Sequence, residues 1–169
     1  MEEIVTILGE RVLGEIMCRV KKSKYFSVSL DSTPDSRHVD QLTVVLRYIE
    51  DDGPVERFVT FMANKGHKAQ SKFDALQDFL KANNLDIANC RGQSYDNASA
   101  MSGMYNGLQA KVKEINPLAT WIPCTAHSLN LVGQNAAECS SGAVHFFLFL
   151  EKLFVFFHCF HPQTRTVNS

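Results

Sequence analysis

The stretch YFSVSLDSTPD, residues 25–35, decides the reading of the fold, together with CRGQSYDNASAMSG, residues 90–103. Tyr25, Phe26, Val28 and Leu30 are aromatic, β-branched or aliphatic, and Ser32, Thr33 and Pro34 break the run, so a strand is expected to end at Asp31. Ile87, Cys90 and Tyr95 mark a second strand-like run closed by Asp96, and Asn97 and Ser99 behind it supply cap chemistry for a helix. Each aspartate thus closes a buried strand, where an uncompensated carboxylate is costly and a metal ion would compensate both. Sites in open α/β sheets form beyond strand ends, so two such ends on neighbouring strands would bring Asp31 and Asp96 together.

Working outward, Ile4, Ile7, Leu8, Val12 and Leu13 recur at helical spacing, so a helix opens the chain. After the strand at Asp31, LTVVLRYI (42–49) and residues 55–62 read as two more strands, and Asp51, Asp52, Gly53 and Pro54 between them signal an antiparallel hairpin. Phe73, Leu76, Phe79 and Leu80 mark an amphipathic helix over 69–82. Beyond the Asp96 strand, Met101, Leu108, Val112 and Ile115 form one further helical stripe ended by Pro117. Gly103 and Gly107 lie one turn apart on it, where small residues would let the helix approach the sheet. A short strand at 120–122 and a helix over 125–137 follow.

A chain of 169 residues with 45% hydrophobic and 21% charged residues suits one well-filled core and argues against disorder. The net charge of −1 leaves nucleic-acid contact to local patches. Lys21, Lys22 and Lys24 form one candidate patch, and Lys65, His67 and Lys68 another, though such runs are more often solvated surface. Five scattered cysteines behind the acidic, polar start MEEIVTILGE favour a reducing compartment over a disulfide framework. The most apolar segment, FFLFLEKLFVFF (146–157), is interrupted by Glu151 and Lys152 and falls short of the roughly 20 apolar residues a bilayer requires. It is instead expected as a helix over 144–160, apolar on most sides, that needs cover from a partner or from self-association.

The order helix, then β-β-β-α-β-α-β-α, with carboxylates closing strands one and four, resembles a ribonuclease H-like fold with a mixed five-stranded sheet. DSTPD, QLTVVLRYI, CRGQSYDNASAMSG and CTAHSLNL, in that order, resemble the hAT-type transposase superfamily. Within it the chain is most similar to the transposase-derived domain of MYM-type and THAP-type zinc-finger proteins. That shared context outweighs the plain reading of each aspartate as a turn or cap residue. The resemblance implies that Asp31 and Asp96 are the first two catalytic carboxylates and ligands of Mg²⁺ or Mn²⁺. It also implies a DNA partner in full-length relatives, a nuclear location, and a third acid, a glutamate, that arrives only after a helical insertion beyond CTAHSLNL. On that basis residues 1–22 form an N-terminal helix, 23–143 the ribonuclease H-like domain and 144–169 the start of an interrupted helical region. The chain is then an inactive part of a transposase catalytic domain or, alternatively, a domesticated module for protein association or transcriptional regulation.

Other residues carry weaker readings. Glu138 is a poor candidate third acid, three helical turns beyond His127. Cys124 and His127, as CxxH, match the family's signature near the active site, where the histidine would position DNA or the catalytic loop. They also make half a zinc site that Cys139 or His158, Cys159 and His161 would have to complete with poor spacing. Packing of the cysteine and capping of the histidine is the simpler reading. Arg91 beside Gly92 is placed to approach a phosphate or to form an ion pair, and Asp35 reads as a turn residue.

Overall fold

A computed structural model describes residues 2–34, 40–63, 66 and 68–160. Asp35, Lys65, His67 and His161, and the side chains of His158 and Cys159, lie outside the described residues. The elements run α1 (Glu2–Ser23), β1 (Phe26–Pro34), β2 (Asp40–Glu50), β3 (Gly53–Ala63), α2 (Ala69–Ala82), β4 (Cys90–Tyr95), α3 (Ser99–Ser102), α4 (Leu108–Ile115), β5 (Thr120–Pro123), α5 (Thr125–Glu138) and α6 (Ser141–Phe160). One five-stranded sheet has the order β3-β2-β1-β4-β5. Its first three strands are antiparallel, whereas β4 and β5 join parallel to β1 and to each other. This is the ribonuclease H-like arrangement, a mixed α/β sheet flanked by helices.

Two compact units divide the chain, residues 1–127 and 128–169. In the first, alternate residues of the central strands face one cluster: Phe26, Val28 and Leu30 from β1 stand beside Tyr48, Leu46 and Val44 of β2, and all six are buried. Phe73, Leu76, Phe79 and Leu80 of α2 and Leu108 and Val112 of α4 fill the cluster, as their helical spacing requires. Ile16, Met17 and Val20 of α1 enter the same cluster, so the last turns of the opening helix pack into this core. Arg19 fastens α1 further, its guanidinium 2.8 Å from Glu15 and 3.3 Å from Glu50 at the end of β2. These pairs are exposed and contribute little to stability.

Two expected boundaries move. Asp31 does not end its strand: Ser32, Thr33 and Pro34 continue β1 opposite Leu42, Gln41 and Asp40, because pairing with β2 overrides their local turn preference. The single stripe after Asp96 is two helices, α3 and α4. Gly107 donates its N–H to the Gly103 carbonyl at 3.0 Å, and a Cβ on Gly107 would lie 2.5 Å from Gly103 backbone atoms. The two glycines therefore fold the chain back upon itself instead of bringing one continuous helix close to the sheet.

The second unit holds α6 and most of α5. Phe146, Phe147, Phe149, Phe154, Val155, Phe156 and Phe157 all remain more than half exposed. Among the described residues no single helix is long and apolar enough to cross a membrane.

Two consequences of burial in the first unit are measurable. Tyr95 is fully buried, its hydroxyl has no hydrogen-bond partner among the described residues, and burial raises its pKa. Removing such a group relieves its desolvation, so Tyr95→Phe is expected to stabilise the fold by about 1 kcal/mol in urea unfolding; a loss of that size would show an unseen partner for the hydroxyl. Burial likewise pushes the Cys90 thiol up to about 11. Because the folded value is raised, its stabilising contribution is complete below the unfolded value of about 8.5 and is lost as pH climbs through about 11. Iodoacetamide at pH 8 should therefore modify Cys18, Cys124 and Cys139 well before Cys90, as read by peptide mass spectrometry.

Candidate functional site

The parallel ladder between β1 and β4 positions the two aspartates. Phe26 pairs with Cys90, but Ser27 pairs with Gly92, Val28 with Gln93 and Ser29 with Ser94. Arg91 is thus the extra residue of a β-bulge, and it shifts every later pairing by one. The ladder ends at Ser29 and Ser94; carried two residues further, the same register would set Asp31 level with Asp96, which follows the last residue of β4. Burial alternates in step: Leu30 and Tyr95 are buried, whereas Asp31 is exposed and Asp96 half-buried. Both carboxylates therefore belong to the face of the sheet turned away from the core, at the edge where β4 ends.

Ser27, Ser29, Gly92 and Ser94 line a groove on the sheet together with Arg47 and Glu56, and neither aspartate is among its lining residues. Gly92 has to be small here, since a Cβ would lie 2.6 Å from Ser27 Oγ. The Asp96 loop is held from within. Asp96 Oδ1 accepts the Ala98 N–H at 3.0 Å, and the Asp96 carbonyl accepts the Ser102 hydroxyl. Beside it, the Cys124 N–H donates to the Tyr95 carbonyl at 2.9 Å, extending the β4–β5 ladder. Cys124 thus stands next to the Asp96 strand end, and His127 follows in the first turn of α5.

Arg91 is elsewhere. It opens β4, roughly 16 Å along the strand from Asp96 at about 3.3 Å per residue. Its guanidinium donates to the Ala88 carbonyl at 2.7 Å and stacks on the Tyr25 ring at 4.2 Å. Lys24, with a left-handed φ of 66°, sits over the same ring at 5.3 Å. Lys24 and Arg91 together lower the Tyr25 pKa, the Lys24 charge having the largest effect. Lys24 and Arg91 thus form a basic cluster at the opposite end of the ladder from the aspartates, and Lys21 and Lys22 lie in the last turn of α1, just before it in sequence.

The donor set at the aspartate edge is oxygen only, which suits a hard divalent cation and not zinc. Among the described residues neither carboxylate forms an ion pair with lysine or arginine. No cluster of three His, Cys, Asp or Glu side chains that could hold a metal occurs among the described residues. Cys124 and His127 therefore gain no partners for a zinc site there, and Cys139 and Glu138 fall in the second unit. The residues that sequence reasoning passed over are Ser102, Gln109 and Gln93. Gln93 is a polar residue between Gly92 and Ser94 in a strand, and a buried orientation for it becomes visible only once the bulge is known.

Comparison with known proteins gives the family of the fold. Residues 1–107 match the family DUF4371, described as "ZMYM1/FAM200, RNase-like domain". The match includes α1, both strands of the aspartate edge and the whole Asp96 loop. A mouse (Mus musculus) protein, the 52 kDa repressor of the inhibitor of the protein kinase, is 26% identical over 120 residues, covering 69% of this chain and 15% of that protein. The chain thus spans only a small part of the length of the curated relative it matches. With the match extending over more than half its length and the ribonuclease H-like sheet in place, the chain belongs to the transposase-derived RNase-like domain family of the MYM-type proteins.

Proposed function

We propose that this chain carries the first two carboxylates of an hAT-like DNA transposase site, Asp31 and Asp96, and binds a divalent cation there without completing a catalytic centre by its own described residues. The observation that supports this reading is the bulge-set pairing of Ser27–Ser29 with Gly92–Ser94, which, carried two residues further, would bring Asp31 level with Asp96. Asp31 and Asp96 would hold Mg²⁺ or Mn²⁺, with the half-buried Asp96 fixed by its loop and the exposed Asp31 open to solvent. In a complete site, paired ions of this kind activate a water or 3′-hydroxyl and stabilise the leaving oxygen of an in-line displacement at phosphorus. Cys124 and His127 stand where they would help position a DNA strand at that edge. Arg91, tied to Tyr25 at the far end of the ladder, would meet DNA only along an extended path.

A second reading, a non-catalytic module for protein association in transcriptional regulation, is favoured by the exposed aromatic surface of α6. The mouse relative's name as a repressor supports that reading and a nuclear location.

Two measurements separate these readings. Mn²⁺ titration followed by the electron paramagnetic resonance of the free ion is expected to show weak binding, reduced more than about tenfold by Asp31→Asn or Asp96→Asn. Metal-dependent nicking of plasmid DNA should be absent; nicking by the wild type that Asp96→Asn abolishes would show a complete catalytic centre. Binding that neither substitution alters would remove the carboxylate site. For the second reading, a chain ending at Ala143 should keep a cooperative unfolding transition and sediment with less self-association than the full chain. Loss of that transition would make α6 part of the core.

A further inference from the structure

A ring of hydrogen bonds inside the first unit begins and ends on either side of the same strand end. Gln93 of β4 is 2% exposed, and its amide N–H groups donate to the Gln109 carbonyl at 3.2 Å and the Ala119 carbonyl at 3.0 Å. Gln109, 6% exposed on α4, donates its side-chain amide to the Ser102 carbonyl at 2.9 Å. Ser102 closes α3, and its hydroxyl donates to the Asp96 carbonyl. The path leaves β4 at Gln93, crosses α4 and α3, and returns three residues farther along the chain at Asp96.

The polar groups in this ring are not needed to fill the core. Leu108 and Val112 already dock α4 on the hydrophobic cluster, and burying two glutamine side chains there is costly unless their bonds serve a purpose. What the ring does is fix the Asp96–Ser102 loop at both ends. The Asp96 carbonyl accepts from Ser102 while its carboxylate accepts the Ala98 N–H, so main chain and side chain of Asp96 are both hydrogen-bonded within this loop.

We infer that Ser102 is a positioning residue, acting through the Asp96 carbonyl and backed by Gln109 and Gln93, that holds the Asp96 carboxylate ready for a divalent cation. This rests on the proposed metal site. It adds that the strength of that site is set partly by a serine that does not itself touch the metal, as outer partners of metal ligands do elsewhere. The hydroxyl and not the residue's bulk is the working part, so threonine should replace serine and alanine should not.

The test uses the full chain and three variants, Ser102→Ala, Ser102→Thr and Asp96→Asn. Two quantities are read: Mn²⁺ affinity by electron paramagnetic resonance, and exchange of the Ala98 amide proton by NMR in metal-free buffer. Ser102→Ala is expected to weaken Mn²⁺ binding about tenfold and to speed Ala98 exchange, with Ser102→Thr restoring both. Wild-type affinity and exchange in Ser102→Ala, with Mn²⁺ still lost in Asp96→Asn, would overturn the positioning role and leave the metal site standing. Absence of Mn²⁺ binding in the wild type would overturn both. Equal loss in the alanine and threonine variants would assign the effect to packing and also overturn the inference.

Discussion

One extra residue in β4 governs the functional edge of this protein. Were Arg91 paired in an unbroken ladder from Phe26 and Cys90, Asp31 would lie beside Tyr95 and Asp96 would be offset by one. A one-residue slip also exchanges the two faces of a strand, so Gln93 and Tyr95 would turn outward and Ser94 would enter the core. The bulge keeps Cys90, Gln93 and Tyr95 buried together although the first two are three residues apart. The Tyr25 ring and the Ala88 carbonyl fix the Arg91 side chain where the register changes. The extra residue that carries the basic side chain and the register of the β1–β4 pairing beyond it therefore go together.

Much of this was legible in the sequence. The periodicity of Phe26, Val28 and Leu30 and of Phe73, Leu76 and Phe79 marked a strand and a helix that the structure contains, because burial on one face leaves a regular trace in residue type. The Asp51–Pro54 turn gave the β2–β3 hairpin for the same local reason. The failures involve relations between segments. Ser32, Thr33 and Pro34 carry a turn signal that only pairing with β2 overrides. The break between α3 and α4 depends on two glycines meeting each other, although each alone is tolerable on a helix. The bulge left one trace, the isolated Gly92 within a strand pattern, which often marks a bulge or a close backbone approach and here marks both.

The two faces of the sheet differ in what they ask of their residues. The core face is filled by large side chains, and losing any of them would leave a cavity. On the outer face Ser27, Ser29, Gly92 and Ser94 make a low floor, while Phe58 and Phe61 lie 4.8 Å apart on β3 and stay at least half exposed. The β2–β3 bulge between Val44 and Val45 sets both rings on this face although they are three positions apart in the chain. Irregular pairing thus shapes the outer face on both sides of β1, while the core face of β1 and β2 keeps its alternation.

The chemistry of the aspartate edge follows from where the carboxylates meet water. Two acids level on adjacent strands repel each other, and in a dry interior that repulsion would be severe. Here Asp31 is exposed and Asp96 only half-buried, so solvent screens the pair and the fold tolerates it without a cation. The energy that holds Asp96 in place comes instead from the hydrogen bonds behind it, through Ser102, Gln109 and Gln93 to the core.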